Sequence, residues 1–459
     1  MKHFKITPAS FNVNSLKYAA TVFLLINILF FTSCEKLLEG KLPGRGEGEH
    51  TPASKDNAKV ATDWYKLQLQ MILLSSPAKS NLAANRLFAY SGISLFEASR
   101  FEMHESRSLY GQLSEMPAMP VPEKNKKYSW VISANAAMAN ITRDLFPGIT
   151  AANNASIDSL EKIYSDKITA TEGADVVARS SALGDSVASA IFNWSKSDLF
   201  NHVGDPYTPP VFPGAWVPTP PAFAAAAAPY TGNCRTFMHI FSEGTTTPPP
   251  FAYSEDPGSD FYKMVNNVYT ISKSLTTDQK NIALFWNDVG VGVGYTPMGH
   301  CLSILTQVLD NSNASLATAA IAYSKAGIAL WDASVVCWRS KFKYNQLRPV
   351  TYIQAHIDNT WLPLIGTPPH PEFPAAHAFI TSSIMEVLSS VFGKHYSFTD
   401  HTYDFRGFPS RSYSSFEDVA NECGESRVYG GIHYQESVDI GHAFGSLVGK
   451  TAASIEVTR

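Results

Sequence analysis

A stretch from His202 to Pro257 constrains this 459-residue chain more than any other, because proline recurs through it as "DPYTPPVFPGAWVPTPPAFAAAAAPY" and again as "TTTPPPFAYSEDPG". Proline has a fixed φ and no N–H to donate, so no long helix or central strand can pass through such a segment. A connection of this length inside a compact domain is either slack or functional. Phe212, Trp216, Phe223, Tyr230 and Phe237 are spread along it. Large apolar rings need a surface to pack on, so the expectation for residues 202–257 is an ordered covering layer.

What it would cover reads as helical. Before it, "NAKVATDWYKLQLQMILLS", "NRLFAYSGISLFEASRF" and "SWVISANAAMANITRDLF" place apolar residues at helical intervals. After it, "DFYKMVNNVYTISKSL", "GHCLSILTQVLD" and "LATAAIAYSKAGIALWDASVVCWRSKF" do the same, with little strand-like alternation. An antiparallel helical bundle is the economical architecture. At 45% hydrophobic and 17% charged residues, the chain can bury a substantial core as one large domain or two. An internal echo bears on that choice: "GISLFEAS" (Gly92–Ser99) and "GIALWDAS" (Gly327–Ser334) agree at five positions, and "AYS" precedes both. Two small-residue helices could coincide in this way, or the chain holds two related bundles.

The amino terminus reads as an export signal. Lys2, Lys5 and Lys17 precede an apolar run from Ala19 to Phe31, which is too short for a comfortable membrane span. The run ends at "FTSC", which resembles a bacterial lipobox and would make Cys34 the lipidated first residue of a mature protein; an ordinary cleaved signal with an incidental cysteine reads similarly. Residues 35–57, rich in Gly, Pro and charge, then form a flexible tether, and a protein held at the bacterial cell envelope by a lipid anchor alone is expected. Export would leave Cys234, Cys301, Cys337 and Cys423 where disulfides are permitted; the sequence allows one or two bridges and leaves the pairing open. No C-x-x-C pair supports zinc, and a net charge of −4 without a basic run argues against nucleic acid as a partner.

Three separated segments carry candidate chemistry. In "KFKYNQLRPVTYIQ", Lys341 and Arg348 stand seven apart, two helical turns, so both could face one anion before Pro349 ends or kinks that helix. In "PEFPAAHAF" prolines close a loop and a long apolar helix begins near His377; a helix start presents unpaired N–H groups and a positive dipole end, which suit an oxyanion. In "SRVYGGIHYQ" Arg427 and His433 stand six apart, with Gly430 and Gly431 between them. They would not share a helix face, but a turn at the glycines can bring both to one point. Each segment alone fits an ordinary surface helix or core histidine; together they supply three cations and two imidazoles.

In that order, K-x6-R-P, P-x-x-H and S-R-x5-H resemble the three-part signature of the vanadium-dependent haloperoxidases and type 2 phosphatidic acid phosphatases, carried by Lys341, Arg348 and Pro349, by Pro374 and His377, and by Ser426, Arg427 and His433. "LTTDQKNIALFWND", "TPMGH" and "RPVTYI" also resemble bacterial haloperoxidase-like proteins, so the likeness spans roughly Ala58 to Gly449. The resemblance implies an all-α fold of two helical bundles, here residues 58–201 and 258–459. It also implies vanadate as cofactor, held by Lys341, Arg348, Arg427, the backbone N–H of Ala376 and His433. His433 would bond the metal, His377 would shuttle protons, and Lys341 would polarise bound peroxide as hydrogen peroxide oxidises a halide. The same pocket could instead hydrolyse a phosphate ester through a His433 nucleophile, or bind an anion without catalysis. Two departures from the family pattern bear on activity. Ala375 stands where a serine is usual, removing a hydroxyl that would bond the oxyanion, and Ser437 stands where an aspartate would orient the imidazole, with Glu436 and Asp439 beside it. That carboxylate must come from elsewhere or be absent. His370 could tune the site from behind or cap its loop, while His300, Trp286, Trp331 and Trp338 are expected to serve packing and core hydrogen bonding.

The lipid anchor is directly testable. Mass spectrometry of the mature amino terminus should find diacylglyceryl-modified Cys34, and Cys34→Ala should release the protein from membranes or block its maturation. An unmodified terminus at any other residue removes the anchor.

Overall fold

In the computed structural model, the described residues are 56–458 except 243 and 291. Cys34 and the tether up to residue 55 lie outside them. The architecture is mostly helical, and the only strands among the described residues are β1 (Phe398–Asp400) and β2 (Arg411–Tyr413), paired antiparallel. No helix of the described residues is long and apolar enough to cross a membrane.

The amino-terminal helices are α1 (Lys59–Leu73), α2 (Asn81–Ser99), α3 (Trp130–Leu145), α4 (Ala151–Glu172) and α5 (Ala174–Ser195). After the proline-rich segment come α6 (Asp260–Lys273), α7 (Thr277–Phe285), α8 (Pro297–Asn311), α9 (Leu316–Tyr344), α10 (Pro349–His356), α11 (Ala376–Phe392), α12 (Phe416–Tyr429) and α13 (Gln435–Ala453). The centre is the crossing of α2 and α9, the two helices that carry the sequence echo. Both are buried along most of their length, because alanine, glycine and serine let the backbones approach. A Cβ on Gly92 would lie 2.4 Å from the Tyr323 carbonyl oxygen, and one on Gly327 would lie 2.8 Å from the Ala89 Cα. The echo extends to the acids at its sixth position. Glu97 accepts from the backbone N–H of Leu109 (2.7 Å) and Asp332 from those of Phe237 (2.6 Å) and Met238 (2.8 Å), so each buried carboxylate pins a loop to its helix.

Residues 202–257 form the covering layer, tied mainly to the end of α9 and the segment beyond it. The Trp216 N–H donates to Asn345 O (2.6 Å), Leu347 N–H to Gly214 O (3.0 Å) and Ala227 N–H to Pro369 O (2.8 Å). Trp216 and Phe237 are fully buried, but Phe212 and Phe223 are 47% and 63% exposed, so only part of the aromatic content seals the core. Phe223 occupies a left-handed turn position (φ 47°) that points it outward.

The disulfides that the sequence allows do not form among the described residues: Cys234, Cys301, Cys337 and Cys423 are free and buried. Cys301 and Cys423 approach Thr381 Oγ1 from two sides (3.6 and 3.3 Å) instead of bonding each other.

The contact that sets the site is between α11 and α13. Gly441, Gly445 and Gly449 recur every fourth residue along one face of α13, and a Cβ on Gly445 would stand 2.1 Å from the Phe379 carbonyl oxygen. That backbone atom cannot swing aside. Gly445→Ala is expected to cost about 1–3 kcal/mol through forced separation of the helices, read as a lowered Tm; an unchanged Tm would show the helices are free to part.

Candidate functional site

Helix α9 ends where Asn345 turns left-handed (φ 51°, ψ 37°), its N–H bonded to Lys341 O at 2.8 Å. Lys341 and Arg348 therefore do not share a helix, contrary to their spacing. Arg348 is the N-cap of the next helix, and Pro349 is that helix's first residue, where a missing N–H costs nothing. The two cations still converge, because the chain turns between them.

Lys341 is fully buried and its Nζ donates to the carbonyls of Pro371 (2.9 Å), Glu372 (2.9 Å) and Pro374 (2.5 Å). Its ammonium thus gathers the loop that leads into α11. Burial pushes its pKa down with help from Arg348, while Glu372 pulls the other way; with three carbonyls on three protons, the charged form is the one this geometry holds. Arg348, also fully buried, donates through Nε to His370 O (2.9 Å), through Nη1 to Ile432 O (2.8 Å) and to His433 Nε2 (3.1 Å), and through Nη2 to His370 Nδ1 (3.0 Å). His370 thus combines the two roles considered for it, bracing Arg348 while closing the loop.

Arg427 lies in the last turn of α12, its Nε bonded to Ser426 Oγ (2.9 Å) and its Nη2 buried without a hydrogen-bond partner. Gly430 and Gly431 then reverse the chain, Gly431 at φ 76°, and Ile432 N–H returns to Arg427 O (3.1 Å). This is the turn the sequence calls for, and it delivers His433 beside Arg348.

The tautomer of His433 follows from its neighbours. Guanidinium can only donate, so Nε2 carries the lone pair, and Nδ1–H donates to Glu372 Oε1 at 2.7 Å. Burial and the surrounding cations hold the imidazole well below its usual pKa, consistent with a neutral ring. Glu372 also accepts from Tyr434 N–H (3.0 Å) and Gln346 Nε2 (3.0 Å). Burial raises its pKa, against which three donors favour the carboxylate. Glu372 is the orienting carboxylate that Ser437 cannot be. Glu436 instead accepts from Phe251 N–H (3.1 Å) in the covering layer, and Asp439 from Gln435 Nε2 (3.0 Å). The one available signal was an acid enclosed by apolar neighbours in "PEFP".

His377 stands at the second position of α11, where Ala376, His377 and Ala378 present first-turn N–H groups without intrahelical partners. Ala375 is the N-cap, and its N–H is bonded to Ser437 O at 3.0 Å. The His377 Nε2 is buried without a hydrogen-bond partner, 4.0 Å from Asp288 Oδ1. Burial first, then Arg427, Lys341 and Arg348, keep this imidazole well below its usual pKa. All the expected residues thus lie on segments that meet around the start of α11, and the arrangement supplies fixed positive charge, one oriented lone pair and one imidazole free to exchange a proton. His300 is a fully hydrogen-bonded core histidine. Trp286 and Trp331 are fully buried, and Trp338 packs against His370 (5.2 Å between centroids).

Comparison with known proteins agrees with this fold. Residues 322–457 match the family model described as the VCPO second helical-bundle domain. A bacterial vanadium-dependent iodoperoxidase of known structure is similar over 89% of this chain and 99% of its own, at 28% sequence identity and a TM-score of 0.79. The holo form of a bacterial vanadium-dependent chloroperoxidase shares the fold over 88% of this chain and 93% of its own, at 16% identity and a TM-score of 0.60. No curated protein matches by sequence.

Replacing Glu372 with glutamine keeps its size but removes the negative charge that His433 faces and leaves one acceptor oxygen where there were two. Oxyanion binding by Glu372→Gln, measured calorimetrically with vanadate, should weaken by about 10–100-fold; parent-like affinity would mean that Glu372 does not orient the ring.

Proposed function

We propose, from the match of residues 322–457 to the VCPO second helical-bundle domain and the likeness to a bacterial vanadium-dependent iodoperoxidase, that the chain is a vanadium-dependent haloperoxidase that oxidises a halide with hydrogen peroxide, using vanadate as cofactor. The observation that carries this reading is the conjunction of three buried cations, Lys341, Arg348 and Arg427, with an imidazole whose lone pair faces them. Two buried carboxylates, Glu372 acting on Lys341 and Arg348 and Asp288 acting on Arg427, answer those three charges, leaving a surplus that favours an anion. The residues present also fit the cofactor at the level of single atoms. Arg427 Nη2 is buried without a partner, and such an atom is costly unless something completes it.

Arg348 and Arg427 would hold the oxyanion by charge-assisted hydrogen bonds, the Ala376 N–H would add a neutral donor, and His433 Nε2 would be the ligand to the metal. Vanadate supplies a Lewis-acidic centre at which peroxide becomes reactive toward halide without a change in the metal's oxidation state. Lys341 contributes a fixed charge, and through its three carbonyl bonds it holds the loop that carries Glu372 toward His433. His377 handles protons: neutral when the site is empty, it can accept one from an incoming acid and return it. Ala375 leaves the site without a hydroxyl that would be worth about 1–3 kcal/mol to the oxyanion, so its affinity rests more heavily on the guanidinium groups. Attachment to the bacterial envelope through Cys34 is part of the same proposal and rests on the leader sequence alone.

The test is peroxide-dependent halogenation of a phenol by the purified protein with and without vanadate, iodide and bromide being compared. His433→Ala should abolish tight vanadate binding, whereas Arg348→Ala and Arg427→Ala should each cost roughly 1.5–3 kcal/mol. His377→Ala should retain much of the affinity while turnover falls by on the order of 100-fold or more. Phosphate-ester turnover that vanadate inhibits, with phosphohistidine at His433, would instead make the protein a phosphatase.

A further inference from the structure

The covering layer ends in a strap whose fastening changes at three consecutive prolines. Up to Thr247 the strap is bound along one helix, α9: Arg339 Nη1 donates to the carbonyls of Phe241 (3.1 Å), Ser242 (2.9 Å) and Thr245 (3.1 Å), and Ser340 Oγ accepts from Thr247 N–H (3.0 Å). Further on, Ser254 O accepts from Tyr352 OH of α10 (2.8 Å). Between these points Pro248, Pro249 and Pro250 have no N–H to give. Among the described residues, Phe251 N–H is the one group of residues 248–252 with a hydrogen bond, and it is shared by the two carboxylate oxygens of Glu436 (3.1 and 3.4 Å) in the first turn of α13.

Beside that bond the strap leaves space. A groove of about 610 Å³ opens between it, α6 and α13, with Phe251, Met264 and Ile440 as its apolar lining and Asp260, Glu436 and Asp439 as its acids. The Phe251 ring is 45% exposed. The charged groups around Glu436 are mostly of its own sign. Asp439 stands three residues on in α13, Asp260 lies on α6 with Lys263 bonded to it (3.3 Å), and Glu425 on α12 accepts from Gln435 Nε2 (2.7 Å), while residues 244–252 of the strap carry no charge. Burial raises the Glu436 carboxyl, the Phe251 N–H opposes the rise and Asp439 adds to it, which takes the group up to about 7.

We propose that Glu436 is a proton-operated latch on residues 248–252: neutral, it stays against the Phe251 N–H beside the groove, and ionised, it turns to water and releases the strap. Release returns the carboxylate to solvent, where its proton affinity falls back toward that of an ordinary glutamate. The fastened state therefore binds more protons than the released one. Fastening is favoured in full below pH 4.5, the ordinary value, and is progressively lost as the pH rises to about 7. An N–H bonded to an ionised acceptor makes the stronger hydrogen bond, but that one bond is set against lost hydration and the repulsion of Asp439, and the upward direction of the shift gives the balance to the neutral form. The latch concerns the strap alone and does not depend on what occupies the site at His433.

The experiment is amide hydrogen exchange of the vanadate-free full chain, read by mass spectrometry on a peptide spanning residues 245–252 and corrected for the intrinsic exchange rate. The three prolines carry no amide, so the signal of the strap beyond Thr247 comes from Phe251 and Ala252. Between about pH 5 and about pH 8.5 its protection should fall by on the order of 10-fold, with protection along α9 unchanged. Glu436→Gln keeps an acceptor and cannot ionise, so its protection should stay at the acid value throughout. Asp439→Asn removes a repelling charge at an exposed position and should move the parent's midpoint to lower pH; it decides the question if Glu436→Gln does not fold. Protection independent of pH in the parent, a fall that persists in Glu436→Gln, or a midpoint unmoved in Asp439→Asn overturns the latch.

Discussion

Buried positive charge is the constraint on which this structure depends. Lys341 and Arg348 are taken entirely out of water, and removing an ion from water costs several kcal/mol unless other dipoles or charges take over its hydration. Here the replacement is mostly backbone: Lys341 is answered by three carbonyls of one loop, and Arg348 by those of His370 and Ile432. Carbonyl dipoles stabilise a cation without cancelling its charge. The net positive field therefore survives the folding that buries it, and the same bonds that make burial tolerable fix the loop, the helix start and the turn to one another.

The scaffold holds those segments in register by small residues. The glycine face of α13 lets α11 lie close, and the Ala375 N–H bond to Ser437 O ties the start of α11 to the first turn of α13. His377 and His433 thus sit on segments brought together by backbone contact between helices and fixed to one another by the Lys341 and Arg348 side chains. The α2–α9 crossing follows the same principle, with Gly92 and Gly327 at the approach and the echoed acids Glu97 and Asp332 each gripping a loop. The Asp332 loop is part of the covering layer, so the repeat helps to fasten the proline-rich segment above the end of α9.

The fold class, the start of α11 at His377 and the reversal at Gly430–Gly431 were legible because each is local: periodicity, proline and glycine act within a few residues of themselves. What was not legible depends on chain reversal or on distant partners. The seven-residue spacing of Lys341 and Arg348 suggested one helix face, but Asn345 turns left-handed between them and two different helices carry the pair. The orienting carboxylate had to come from elsewhere than the position the family pattern gives it, and it lies 61 residues before His433, at Glu372, since a hydrogen bond is indifferent to sequence distance. The cysteines failed in the opposite sense: oxidising surroundings permit a disulfide but do not bring two thiols together.

The titration behaviour of the site links these points to function. His370, His377 and His433 are all driven below their usual pKa by burial together with Arg348 and Lys341. The positive charge that attracts an anion at neutral pH therefore resides on the lysine and the guanidinium groups, while the imidazoles remain neutral and keep their lone pairs. Were the imidazoles charged instead, His433 could not act as a ligand and His377 could not act as a base. An oxyanion entering the site offsets the cations that depress His377, so the proton affinity of that ring rises when the anion arrives. Anion binding and proton uptake would thereby be coupled through the electrostatic field of the site.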